Sequence, residues 1–174
     1  MAPSIPDRWT AYSTFGKVIQ GTNIICFKVP LREHVQRGKN NISEMWTVGE
    51  LLQKIPDLVG VIDLTNTQRY YDPIEFGAAN VRYMKIPLQG RVLPDRREIT
   101  KFYDTMHEFS KKNGLIGVHC THGLNRTGFL VCSYMRDVLK FSPEVAIRLF
   151  EDARGHKIER NVYLNDICKN VHTM

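Results

Sequence analysis

The ten residues His119-Cys120-Thr121-His122-Gly123-Leu124-Asn125-Arg126-Thr127-Gly128 constrain this chain more than any others. An apolar run, Leu115-Ile116-Gly117-Val118, leads into them, and a helical pattern, Phe129-Leu130-Val131-Cys132-Ser133-Tyr134-Met135, leaves them. That order predicts a strand, a tight loop and a helix. Such a unit points several backbone N–H groups and a helix N-terminus at one spot, which suits an anion such as a phosphate. A thiol stands at the start of the loop and a guanidinium at its end. A bound phosphate would therefore face a nucleophile.

The residue types fit a thiol-based displacement at phosphorus. A free thiol is mostly protonated at neutral pH and must be acidified before it attacks. The helix dipole, the converging N–H groups and Arg126 all favour the thiolate of Cys120. Arg126 can also hold two equatorial phosphoryl oxygens, where transition-state charge accumulates. Backbone N–H groups across Thr121, His122, Gly123, Leu124 and Asn125 would form the cradle. Gly123 and Gly128 permit its tight backbone. Thr127 can donate to the sulfur when it becomes a leaving group. Two in-line displacements through a phosphocysteine are expected.

Blander readings apply elsewhere. Cys26, Cys132 and Cys168 read as small core hydrophobes. His119 reads as a brace beneath the loop rather than a proton-transfer group. The loop itself resists a bland reading, because a chance match of its Cys, Arg, hydroxyl and flanking positions is rare, roughly one in ten thousand on average composition.

At 174 residues the chain is expected to form one domain spanning residues 1–174. No apolar run reaches membrane-spanning length, and Met1 to Arg8 lacks a signal-peptide core. Four cysteines without such a signal suggest reduced thiols inside a cell, in the nucleus or cytoplasm. The net charge of +6 is compatible with a polyanionic substrate but does not require one.

Strand patterns alternate with helical ones. Strands are expected at Ile24–Val29, Leu58–Leu64, Tyr83–Leu88 and Leu115–His119. Thr47 opens a capping box over a helix ending at Ile55, and Asp72 caps another that has Pro73 in its first turn. Pro94-Asp95-Arg96-Arg97-Glu98 opens a long amphipathic helix that stops at Asn113-Gly114. A helix runs from the loop to about Lys140, one starts at Ser142-Pro143, and one covers Arg160 to Val171. Leu31 to Glu44 is polar and reads as a surface loop. The class is α/β, a mainly parallel central sheet flanked by helices. The anion loop then lies at the C-terminal end of a central strand, where such sheets bind ligands.

The anion loop and its setting resemble the cysteine-dependent dual-specificity phosphatase superfamily. Members usually place an aspartate just after a strand such as Tyr83–Leu88, but Gln89 stands here. A serine or tyrosine ester leaves as an alkoxide or phenoxide, and protonation speeds that departure by about 10²–10⁴. A phosphoanhydride leaves as a phosphate oxygen whose conjugate acid has a pKa near about 6. It departs largely unaided. The missing acid therefore points towards 5′-triphosphate or diphosphate ends. Asp95 is an alternative acid, though its Pro-Asp-x-x-Glu setting favours a helix cap.

Asp63 to Tyr71, the loop 119–128 and Arg154-Gly155-His156-Lys157-Ile158-Glu159-Arg160 together look like the RNA 5′-triphosphatase branch of that superfamily. The chain is most similar there to stand-alone RNA/RNP-complex phosphatases and baculovirus-type RNA phosphatases. The resemblance implies Cys120 as nucleophile, Arg126 as phosphate ligand, no metal or other cofactor, and action on RNA 5′ ends or RNA–protein complexes; a monomer is expected. It also implies that Arg160 supplies a second cation, against the reading of a solvated helix-start arginine. Removal of both γ and β phosphates is expected from the same resemblance.

Other roles stay open. Arg69 either contacts phosphates or makes a surface salt bridge, and Asp63 either orients loop groups and Arg126 or stabilises a turn. Tyr70 and Tyr71 read as core. A basic groove of Arg69, Lys157 and Arg160 is the expected RNA path. A protein phosphatase acting on phosphotyrosine or phosphothreonine is the main alternative, and a weakly catalytic RNA-end binder is another.

Overall fold

The structure, a computed structural model, describes residues 4–169. Five strands form its sheet: β1 (Phe15–Val18), β2 (Ile24–Phe27), β3 (Leu58–Asp63), β4 (Arg82–Lys85) and β5 (Leu115–His119). Their order is β1-β2-β5-β3-β4, with β2, β5, β3 and β4 parallel and β1 antiparallel at the edge. The strand that carries the anion loop is therefore the middle one. Parallel strands in such a position are covered on both faces and read as continuous apolar runs, as Leu115-Ile116-Gly117-Val118 does.

The helices are α1 (Glu33–Gln36), α2 (Val48–Lys54), α3 (Ile74–Ala78), α4 (Arg96–Phe109), α5 (Asn125–Asp137), α6 (Pro143–Arg154) and α7 (Asn161–Lys169). Side chains alternate across the sheet. Ile24 and Cys26 enter a core shared with α4 to α7, whereas Ile25 and Phe27 enter one built with Trp9, Trp46, Leu51 and Phe76. The 14-residue α4 would be marginal alone. Burying Phe102, Met106 and Phe109, each contributing about 2 kcal/mol, holds it to the sheet. Close approach requires glycine in β3, because a Cβ on Gly60 would sit 2.3 Å from the Phe109 ring.

Most expected boundaries agree within a few residues, with Asp95 and Glu98 completing a reciprocal capping box on α4. Thr47 caps α2 by accepting from Glu50 N, and Asp72 accepts from Ile74 N. The end of the last expected helix, at Val171, lies outside the described residues.

Two expectations need correction, and one strand went unforeseen. Residues 31–44 are not simply a surface loop. Leu31, Val35 and Gln36 are buried. Gln36 Nε2 donates to the carbonyls of Leu31 and Trp46, and its Oε1 accepts from Trp46 N. A buried glutamine that satisfies backbone groups looks polar in sequence. Cys168 is exposed on α7 rather than in the core. Finally, β1 carried no strand signal, because it is a four-residue edge whose second half is exposed.

Candidate active site

The loop between β5 and α5 curls over the N-terminus of α5. Gly123 has φ +73°, and a Cβ there would lie 2.4 Å from the Phe27 carbonyl oxygen. Helices α2, α4 and α6 each carry a glutamate in their first turn, whereas α5 carries no acidic residue there. The positive end of its dipole is thus left for an anion.

Cys120 is 3% exposed at the floor of a cleft of about 320 Å³. Three buried thiols show what the loop does. Burial pushes Cys26 and Cys132 up, with no cation or donor set sufficient to offset it. Burial acts the same way on Cys120, but Arg126, the Thr127 hydroxyl and the N–H groups of Thr127 and Gly123 outweigh it and hold this thiol below its ordinary value. The Thr127 hydroxyl is buried and makes no conventional hydrogen bond, so the sulfur is the group it serves. The arrangement can present a thiolate to an electrophilic phosphorus.

Arg126 is pre-set by two acceptors. Its Nη1 donates to the Leu88 carbonyl at 3.0 Å and its Nη2 to Thr121 Oγ1 at 3.0 Å. Leu124 is fully buried, so only its backbone can serve a ligand. Asn125 uses its side chain elsewhere: Oδ1 accepts from Glu159 N at 2.9 Å and Arg160 N at 3.1 Å. This bond fixes the turn that brings Arg160 to the cleft. The His122 side chain is likewise engaged elsewhere: its Nε2 meets the Asp7 carbonyl at 2.7 Å and its ring packs on Tyr12.

A dense network lies beneath the loop. His119 is fully buried, and Nδ1 donates to the Cys120 carbonyl at 2.9 Å. Because a carbonyl only accepts, Nδ1 carries the proton and Nε2 faces the Tyr71 hydroxyl at 2.8 Å. Burial pulls this imidazole down, with Asp63 opposing, so it stays neutral near pH 7. Asp63 accepts from Tyr83 at 2.6 Å, Lys85 at 3.0 Å and Thr65 Oγ1 at 2.7 Å. Burial would raise its carboxyl, but His119, Lys85, Tyr83 and Thr65 bring it down to about 2. Asp63 thus stabilises the turn at Thr65 and gathers Tyr83 and Lys85 beneath the loop, whereas Arg126 is oriented by other groups. Tyr71 belongs to this polar network rather than serving as plain core.

Arg154 is a second brace that sequence reasoning missed. It is 2% exposed, yet no carboxylate among the described residues pairs with it. It donates to the carbonyls of His122 (2.8 Å), Gly123 (3.2 Å) and Ser13 (2.8 Å) and to Ser13 Oγ (2.8 Å). Burial pulls it down to about 10, with the Cys26 and Cys120 sulfurs opposing. Turning two loop carbonyls towards Arg154 helps keep the N–H groups facing the cleft.

The cleft wall holds Arg69, Arg91 and Arg160 with Arg126. Among the described residues, none of the four forms an ion pair within 4 Å. Arg69 therefore makes no surface salt bridge; its guanidinium lies over the Tyr70 ring. Lys157 is exposed but does not line the cleft, and Arg91 takes the place expected of it. Arg91 has φ +67°, and its arch is tied down by the Tyr163 hydroxyl donating to Val92 O at 3.3 Å. No sequence signal marked Arg91, because its position depends on that arch. Gln89 and Asp95 do not line the cleft, and Asp95 is occupied in its capping box. Asp7 is the carboxylate that does line it. No group of three or more His, Cys, Asp or Glu among the described residues is arranged to hold a metal ion.

Comparison with known proteins agrees with this geometry. A family model for the dual specificity phosphatase catalytic domain matches residues 47–170. A tyrosine-protein phosphatase of Autographa californica nuclear polyhedrosis virus is 44% identical over 164 residues, covering 93% of this chain and 98% of the viral protein. The human RNA/RNP complex-1-interacting phosphatase is 43% identical over 171 residues, covering 94% of this chain but 51% of its own length. Among solved structures, Tk-PTP in its active form superposes with TM-score 0.69 at 16% identity, covering 90% of this chain and 95% of that one, which speaks to fold alone. The chain belongs to the dual-specificity phosphatase family of cysteine-dependent hydrolases.

Proposed function

We propose that this phosphatase acts on polynucleotide 5′ ends, removing the γ and then the β phosphate of 5′-triphosphate RNA through a phosphocysteine at Cys120. The observation that carries this reading is the set of four arginines around one thiolate, without carboxylate partners among the described residues. A phosphomonoester needs one such cation at its phosphoryl group. A row of phosphates can use several. The acid position after β4 holds Gln89, which suits a leaving group that departs without a proton. The printed name of the human relative refers to RNA and RNP and supports the same class of partner.

In the first displacement the Cys120 sulfur attacks the γ phosphorus while Arg126 and the loop N–H groups hold the equatorial oxygens. The bridging oxygen leaves with its electron pair as part of the β phosphate. Water then attacks phosphorus, the S–P bond breaks, and Thr127 stabilises the returning thiolate. Orthophosphate is released.

The test is product analysis of a short 5′-triphosphate RNA incubated with the protein in EDTA and a reducing agent, beside Cys120→Ser. Orthophosphate release by the wild type, reduced about 10⁴-fold or more in the variant, is expected, with a 5′-monophosphate end. The viral relative's name favours a second reading, phosphotyrosine hydrolysis. Faster turnover of phosphotyrosine peptide than of triphosphate RNA would select it, and Asp7 would then be the acid to replace first.

A further inference from the structure

The segment after β4 is held at both ends by groups of the site. Arg126 Nη1 takes the Leu88 carbonyl, and the Tyr163 hydroxyl of α7 takes the Val92 carbonyl. Between these anchors Gln89 turns to solvent, whereas Gly90 and Arg91 line the cleft. A non-glycine residue at φ +67° is an uncommon conformation, and here it sets Arg91 in the wall of the cleft. The guanidinium has no carboxylate partner within 4 Å among the described residues. The segment that could have presented a proton donor presents a fixed positive charge.

We propose that Arg91 is the leaving-group ligand of this enzyme: it neutralises the charge that develops on the departing phosphate when the anhydride bond breaks. The inference rests on the polyphosphate reading and assigns it a residue and a step. When the Cys120 sulfur bonds to the γ phosphorus, the electron pair of the breaking P–O bond moves onto the bridging oxygen. That oxygen becomes a terminal oxygen of the leaving diphosphate, which gains one negative charge. Arg91 compensates this charge without transferring a proton, so no acid is consumed in the step. Arg126 cannot do the same work, because it holds the transferred phosphoryl group on the other side of the breaking bond. The device is selective. The charge on a departing phosphate is shared over β oxygens that a guanidinium can hold, whereas the charge on departing p-nitrophenolate is delocalised into the ring and nitro group and offers no such oxygens.

The experiment compares wild type, Arg91→Ala and Arg91→Lys on 5′-triphosphate RNA and on p-nitrophenyl phosphate. It measures kcat/KM, which reports the first displacement, and the single-turnover rate of phosphoryl transfer to Cys120 at saturating substrate. Both replacements keep a Cβ, so the backbone cost at φ +67° is unchanged and thermal midpoints should match. Arg91→Ala is expected to lower the ratio of triphosphate to aryl-phosphate kcat/KM about tenfold or more, with a slower single-turnover rate. Arg91→Lys should recover most of it, since a point charge suffices here. An equal fall on both substrates, no fall on either, or a rise in KM at unchanged single-turnover rate would overturn the assignment while leaving the polyphosphate reading standing. Wild type that turns over aryl phosphate but not triphosphate RNA would overturn both, and that result needs no variant to be seen.

Discussion

The two sides of the anion loop are built on opposite principles. Below it, nearly every polar group has a protein partner: His119 with the Cys120 carbonyl and Tyr71, Asp63 with Thr65, Tyr83 and Lys85, Arg154 with three carbonyls and a hydroxyl. Above it, Arg69, Arg91 and Arg160 line the cleft without carboxylate partners among the described residues. An unsatisfied polar group costs most where water cannot reach, so the underside must be complete before any ligand arrives. Cations at a solvated rim cost little when unpaired and remain available to an anion. The underside shapes the loop, and the rim leaves its charges open to an anion.

The comparison can be broken first where the two sides meet. Arg126 bonds the segment after β4 through the Leu88 carbonyl and also faces the cleft, and a lysine offers a point charge without the two-pronged geometry. Arg126→Lys is expected to lower phosphatase kcat about 10²–10³-fold with little change in melting temperature; a loss below tenfold would show that charge alone suffices. Next is the underside. Arg154→Met leaves the His122 and Gly123 carbonyls without their donor and should destabilise by about 3 kcal/mol, a fall of about 6–12 °C in thermal midpoint for a domain of this size. An unchanged midpoint would mean the loop holds itself.

A smaller effect comes from Asp63. Burial would raise its carboxyl, but its partners bring it from 3.8 to about 2 in the folded protein. A depressed folded value gives stability that is present above the unfolded pKa and lost as the pH falls towards the folded one. About 2 kcal/mol should therefore disappear between pH 4 and pH 2. Urea unfolding across that window should show the slope in wild type and a flatter profile in Asp63→Asn. The smallest effect belongs to the rim. Arg69→Ala should reduce kcat/KM on triphosphate RNA only about two- to fivefold and make its dependence on log salt shallower by about one. A larger loss, insensitive to salt, would move Arg69 from the rim into the site.

The fold was legible wherever a local rule sufficed. Thr47, Asp72, Asp95 and Ser142 each accept from a backbone N–H at the start of a helix, and the buried runs in β3 and β5 announced themselves by continuous apolarity. The expectation failed where polarity and burial coincide. Gln36 is polar in sequence and 1% exposed, and Arg154 is charged and 2% exposed. Composition and periodicity assign such residues to the surface. Only the carbonyls that surround them, supplied by distant segments such as Trp46 and Ser13, account for their burial.

The same division runs through the site. The order of Cys120, Gly123, Arg126 and Thr127 along ten residues determined the anion loop, because its geometry is built from consecutive backbone units and one helix end. Which cations stand around that loop was decided by the tertiary structure. Arg69 follows β3, Arg91 follows β4 and Arg160 precedes α7; they converge because parallel strands end at one edge of the sheet and Asn125 and Tyr163 tie the remaining turns to it. Local motifs are short-range and survive in the sequence, whereas the convergence of charges is long-range and exists only once the sheet has formed.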